Sequence, residues 1–217
     1  GIDGVRVDAL MVADTPRIDA LIAAGMISYD AIAGGERGEV TEQPTFSGPG
    51  GSSILTGVWA DKHRVELNVF DDANFDAYPH FFARLREKKP EAYLSSFVTW
   101  APINESILAP TEGDAAFTWD DPSDSAGGDI AVTAAVGDHF GVESPDAVFV
   151  HLDEVDHQGH LVGFSPDVPE YIDAIETVDA QIDEMLDAIE ARPTYADEEW
   201  LIVVTTDHGG IGQGHGG

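Results

Sequence analysis

The run Trp200-Leu201-Ile202-Val203-Val204-Thr205-Thr206 leads without a break into Asp207-His208-Gly209-Gly210. An apolar run with no polar alternation predicts a strand covered on both faces, as in the middle of a parallel sheet flanked by helices. Just ahead of it, residues 168–191 place Ile172, Ile175, Val178, Ile182, Met185 and Ile189 three or four apart. That spacing predicts an amphipathic helix, with its Asp- and Glu-rich face read as solvated surface. Working outward, residues 26–33, 92–99 and 146–152 read as further strands. Residues 15–24 read as a helix with Pro16 in its first turn, and 51–58, 76–88 and 128–140 also read as helical. Strands alternating with helices predict an α/β fold: a three-layer αβα sandwich around a central, mainly parallel sheet. No domain boundary interrupts residues 1–217, and the Pro/Gly/Asp-rich stretch 109–127 reads as a surface excursion near the site. Gly1-Ile2-Asp3-Gly4 looks like a chain that has just left a strand, and His215-Gly216-Gly217 like a loop. The expectation is a fragment truncated at both ends.

Composition excludes several classes. Ten Lys and Arg against 41 Asp and Glu give a net charge of −31, which argues against a nucleic-acid groove and an anionic membrane surface. Such acidity fits a halophilic source, whose salt screens the self-repulsion, as well as calcium-rich or secreted settings. Cysteine is absent, so disulfides, a thiolate nucleophile and Cys-based zinc sites are excluded. With 43% hydrophobic residues, the chain can bury a core and is not disordered. No apolar run reaches the roughly 20 residues of a membrane span.

Catalytic groups of open α/β sheets gather at the carboxyl ends of strands. Four polar clusters are placed there: Asp3; Thr45 to Ser53, which leads into a helix; His151 to His160; and Asp207-His208-Gly209-Gly210 with Gly214-His215-Gly216. Carboxylates and imidazoles in this number point to metal: Asp and His are zinc ligands, and mixed Asp/His sites also take manganese or iron. Asp156 and His160, four apart, share one side of a helical turn. Ser47 precedes Gly-Pro-Gly-Gly and a helix, where backbone N–H groups and the positive dipole end face it. Each feature has a plainer reading: Asp3-Gly4 as a turn, Ser47 as a helix cap, Asp153 and His157 as solvated loop or as support behind ligands. Joint occurrence in one order carries the case. His63, His80 and His139 are left as ordinary polar residues.

In that order the motifs resemble the alkaline phosphatase superfamily, and most closely its type I phosphodiesterase/nucleotide pyrophosphatase branch. The resemblance rests on Asp3-Gly4, Ser47-Gly48-Pro49 with Thr56-Gly57, His63-Arg64-Val65 with Asn68, Asp156-His157-Gln158-Gly159-His160 with Gly163, Asp207-His208-Gly209, and Gly214-His215-Gly216. It implies two divalent ions, zinc foremost and manganese as the alternative. One would be held by Asp156, His160 and His215, the other by Asp3, Asp207, His208 and the Ser47 oxygen. It further implies hydrolysis of phosphodiester or nucleotide pyrophosphate bonds in a small-molecule substrate. Ser47 would be the nucleophile of a phospho-serine intermediate, and Asn68 would contact a phosphate oxygen. The family is often exported, so a periplasmic or extracellular setting stands beside a halophilic cytoplasm. Ser replaces the commoner Thr nucleophile, Arg64 replaces a Gly, and Gly50-Gly51 stands where Asn-His is usual. A phosphomonoesterase on the same fold, a sulfatase and a catalytically silent binding domain are the alternatives.

Overall fold

The computed structural model describes residues 1–109, 117–120 and 127–216. In chain order its helices are α1 (Val7–Leu10), α2 (Pro16–Ala24), α3 (Ser47–Thr56), α4 (Ala60–His63), α5 (Phe81–Lys88), α6 (Gly128–Val142), α7 (Glu154–Val162) and α8 (Pro169–Glu190). The strands are β1 (Leu94–Val98), β2 (Phe117–Asp120), β3 (Ala147–His151), β4 (Gly210–Ile211) and β5 (Gly214–His215). Ile103–Leu108 forms a π-helix. The expected excursion at 109–127 lies largely outside the described residues; within it, β2 is a strand.

Strands β2, β1 and β3 run parallel in that order, with Leu94 opposite Phe117 on one side and Ala147 on the other. Beyond β3 the sheet is continued by Ile2, bridged in parallel to Leu152 and to Thr206. Side chains along β1 alternate as strand geometry requires. Leu94 and Val98 enter one core with Leu55 of α3 and Phe82 of α5. Phe97 enters the other, with Val132 and Val136 of α6 and the apolar stripe of α8. Two cores on opposite faces make this a three-layer αβα sandwich around a parallel sheet.

Helix α8 follows the predicted stripe, burying Ile175, Val178, Ile182, Met185 and Ile189. Its acidic residues are not all solvated surface. Asp179 is buried and accepts hydrogen bonds from the Arg17 and Ile18 amides (3.1 and 2.8 Å), capping α2 from outside.

Two strand expectations fail. The run 200–206 is not covered on both faces: Leu201 is 86% and Val203 70% exposed, while Trp200 and Ile202 pack on the core. Only Thr206 at the end of this run is bridged to the sheet, in parallel to Ile2. Residues 26–33 form no strand, and Met26 and Ile32 are exposed. Helix boundaries shift as well. Helix α3 starts at Ser47, with Pro49 in its first turn, where a missing N–H costs nothing. Helix α5 starts only after Pro79, with the His80 Nδ1 accepting from the Ala83 amide. Among the described residues no helix is long and apolar enough to cross a membrane.

Candidate metal centre

Parallel strands deliver their carboxyl ends to one edge of the sheet. Asp3 follows Ile2, His151 ends β3, Asp156 sits in the first turn and His160 in the last turn of α7 just beyond it, and Asp207 and His208 follow Thr206. Ser47 opens α3 against the same edge. Two glycines allow the close approach. At Gly4 φ is +71°, and a Cβ there would lie 2.7–2.8 Å from Asp156 atoms. At Gly50 a Cβ would lie 2.5 Å from the Asp207 carbonyl oxygen. The departure from Asn-His at 50–51 thus brings the α3 backbone onto the Asp207 loop.

The predicted residues converge. Asp3 Oδ1 lies 3.1 Å from His208 Nε2, which is 3.7 Å from Asp207 Oδ2 and 3.9 Å from Asp156 Oδ1. Asp156 Oδ2 is 3.2 Å from His160 Nε2. The His215 ring packs 4.7 Å from that of His160, 4.8 Å from that of His208 and 4.3 Å from Phe46. Ser47 Oγ is 3.3 Å from His208 Nε2. Asn68 accepts from the Gly48 amide through Oδ1 at 2.8 Å, which ties it to the same helix end and leaves its NH2 as the group to offer a ligand.

Backbone carbonyls set the tautomers. His208 Nδ1 lies 2.7 Å from the Gly209 carbonyl and His160 Nδ1 2.8 Å from that of Gln213. A carbonyl only accepts, so both Nδ1 atoms carry hydrogen and both Nε2 atoms face the carboxylates. Outer contacts support this wall. The fully buried Tyr171 donates its hydroxyl to the Gly4 carbonyl (2.6 Å) and accepts from the Arg6 amide (3.0 Å). Arg6 Nη1 reaches the carbonyls of Phe164 and Gly210, at 3.3 and 2.9 Å.

Electrostatics separates the carboxylates. Burial pushes Asp207 up to about 7 and Asp156 up to about 6, with the Asp3 charge adding to both. Asp3 is buried too, yet hydrogen bonds from His151 and His208 hold it well below the usual carboxylate range. Burial alone would depress His208; Asp207, Asp3 and Asp156 reverse that and raise it to about 10. His215 falls to about 4 through burial and the neighbouring imidazoles.

These residues fit a metal. Asp156 Oδ1 and Asp207 Oδ2 are buried without a hydrogen-bond partner, an arrangement proteins ordinarily avoid. One ligand atom each from Asp3, Asp207 and His208 lies within 4.8 Å of the others, and the same holds for Asp156, His208 and His215. His160 stands against Asp156 and beside His215, so it borders the second group. A third group, Asp3, His151 and Asp153, meets the same limit. His151 carries no role in the sequence reading, although its place as the last residue of a strand was a signal. Asp153 is half-buried rather than solvated, while His157 is exposed. His63 is fully buried between Ser53 and the Val65 amide, away from the cluster.

Residues 86–212 match the model of one protein family, type I phosphodiesterase / nucleotide pyrophosphatase. The chain belongs to that family. A curated relative, GPI ethanolamine phosphate transferase 3 of Schizosaccharomyces pombe, is 32% identical over 120 residues, which are 55% of this chain and 12% of the relative. Among solved structures, murine ectonucleotide pyrophosphatase / phosphodiesterase 5 superposes with a TM-score of 0.59 at 18% identity, covering 90% of this chain and 52% of its own. Phosphonoacetate hydrolase from Sinorhizobium meliloti superposes with a TM-score of 0.60 at 15% identity, covering 86% and 52%. The fold is therefore that of these alkaline phosphatase-like proteins. The chain spans about half the length of those structures and a far smaller part of the transferase.

Proposed function

We propose that the chain carries the site of a metal-dependent phosphoric ester hydrolase acting on phosphodiester or nucleotide pyrophosphate bonds of small molecules, through a phospho-serine intermediate at Ser47. The observation that carries this reading is Ser47 Oγ at the N-terminus of α3, 3.3 Å from His208 Nε2 and in front of buried, unpartnered carboxylates. Asp3, Asp207, His208 and Ser47 would hold one divalent ion, and Asp156, His160 and His215 another, with zinc the first candidate and manganese the second. Ions so placed would supply Lewis acidity for charge on the phosphoryl oxygens and on the serine oxygen. The chain's own part is positional. Ser47 Oγ forms the bond to phosphorus as the leaving oxygen departs in line, and water later breaks that bond and restores the serine. The α3 dipole and the Asn68 amide face the developing negative charge.

The test is Ser47→Ala, with turnover of bis(nitrophenyl) phosphate and metal content measured together. Turnover should fall to background while the metal content holds, and Ser47→Thr should keep activity because it presents the same oxygen. Near-full hydrolysis by Ser47→Ala discards the covalent route. Faster turnover of the nitrophenyl monoester than of the diester would make the site a phosphomonoesterase. The 32% identity to a phosphate transferase supports a second reading, in which an alcohol replaces water in the second step. Product partitioning between water and an added alcohol separates the two.

A further inference from the structure

Helix α7 ends at Gly163, whose φ of +114° turns the chain back on the helix it has just left. Phe164 follows and is 1% exposed. Its amide donates to the Gly212 carbonyl at 2.7 Å, across an antiparallel bridge to that residue. Gln213 completes the seam: its carbonyl holds His160 Nδ1, and its side-chain amide donates to the Leu161 carbonyl at 2.6 Å. The segment that carries His160 is thus laced to the hairpin that carries His215.

The Phe164 ring lies where that seam closes. A Cβ on Gly159, or one on Gly210, would fall within 3.0 Å of three Phe164 ring carbons. Neither glycine has a positive φ, so what they provide is space and not backbone freedom. Gly159 stands inside α7, where Ala would be the more favourable residue. It immediately precedes His160, and Gly210 is the residue paired with His215 across β4 and β5. The ring also meets the His160 imidazole edge-on, with centroids 5.1 Å apart and planes at 88°, and meets Tyr171 at 5.6 Å and 67°. Edge-to-face pairs of this kind are directional as well as apolar. His160 in turn stands 4.7 Å from His215 at 67°.

We propose that Phe164 is a positioning residue: its ring fixes the separation and tilt of the His160 and His215 imidazoles, and positions 159 and 210 are glycine because the ring fills the space their side chains would take. Phe164 acts through those two imidazoles. Its effect on metal rests on the two-metal reading, whereas its effect on the rings does not. The group of Asp3, Asp207 and His208 has other supports, in the Asp3 contact with His151 and the approach of Gly50 to Asp207, and does not depend on the ring.

The experiment uses the full 217-residue chain, stripped with a chelator. Nuclear Overhauser contacts between the His160 and His215 ring protons are read in the metal-free protein, and zinc affinities are then measured by competition with the chelator. The wild-type chain should show the contacts and bind two zinc. Phe164→Leu, its folding checked by a cooperative melt, should lose the contacts and bind one zinc at least ~10-fold less tightly, the other unchanged. Gly159→Ala should produce the same defect by displacing the ring, and it carries the test if Phe164→Leu does not fold. In the double variant the new methyl occupies space the ring has left, so the weakened zinc should bind more tightly than in Gly159→Ala alone; positions that did not share this space would show additive losses. The proposal is overturned if a folded Phe164→Leu or Gly159→Ala keeps the ring contacts and both zinc affinities, if both ions weaken equally, or if the losses in the double variant add. Fewer than two zinc in the wild-type chain, with ring contacts that Phe164→Leu loses, would sink the two-metal reading and leave this proposal standing.

Discussion

Ser47 and His208 touch, but they do not form a serine-hydrolase triad. In a triad the distal imidazole nitrogen is held by a carboxylate, and here His208 Nδ1 goes to the Gly209 carbonyl. Its Nε2 is left among Asp3, Asp156 and Asp207, so the imidazole's raised affinity for protons comes from carboxylates and not from a relay. That has a pH consequence for the metal-free protein. His208 binds its proton up to about 10 in the folded chain and to 6.5 as a free side chain. A raised imidazole contributes stability that is complete below the unfolded value and fades as pH rises through the folded one. Asp207 and Asp156, raised to about 7 and 6, act in the same direction at lower pH. The buried Gly1 amino group, lowered to about 6, opposes them below 8. Between about pH 8 and about 9.5 His208 acts together with Asp153, which burial raises to about 8 and which works in the same direction, so the melting temperature in chelator should fall across that window. Saturating zinc should remove the fall, because an ion binds the deprotonated ligands. Thermal unfolding with and without zinc checks this; a metal-free melting temperature that is flat or rising sinks the assignment of His208.

Helices here are capped from outside by buried aspartates. Thr15 and Asp153 stand at the N-caps of α2 and α7, yet neither makes a side-chain cap bond. Asp179 of α8 serves α2, and Asp129 of α6 serves α7. Neither contact was legible in the sequence. Asp179 falls on the acidic face of a periodic helix, and only the approach of α2 shows that it is covered. The apolar spacing of α8 was legible because six positions repeat one period, whereas 200–206 misled because composition cannot say whether a neighbouring strand exists. Its true pattern is period two, with Trp200 and Ile202 inward and Leu201 and Val203 outward. The two caps predict different outcomes. Asp179→Ala strands the Arg17 and Ile18 amides and should cost about 2–3 kcal/mol in denaturant unfolding, with metal affinity unchanged. Asp129→Ala should cost a similar amount and also weaken metal binding, since α7 carries Asp156 and His160. Equal metal affinity in both variants would remove Asp129 from any supporting role.

Across the whole molecule, the order of short motifs was legible where single motifs were not. Asp3, Ser47, Asp156, Asp207 and His215 are spread over nearly the full chain, and a parallel sheet brings strand ends to one edge whatever lies between them. The contact of His151 with Asp3 was not legible, because a lone imidazole at a strand end reads equally well as packing. Net charge acts at this same scale. Ten basic residues face 41 acidic ones, and much of the basic side is already engaged locally: Arg17 with Asp183 and Glu190, Arg192 with Glu198, Lys89 with Asp146. The remaining carboxylates repel across the surface over a screening length of about 10 Å at 0.1 M salt and about 3 Å at 1 M. Raising sodium chloride from about 0.1 M to about 2 M should therefore stabilise the fold by relieving repulsion that compaction creates. A gain of about 1 kcal/mol corresponds to a rise of roughly 2–4 °C in melting temperature for a chain of this size. Chloride is the salt to use, because sulfate would add a separate strengthening of apolar burial. The gain should shrink as pH is lowered toward about 4, where carboxylates begin to neutralise. A melting temperature insensitive to chloride at neutral pH would mean that the surface charges lie too far apart or too well hydrated to strain the fold, and the net charge of −31 would then be no mark of adaptation to salt.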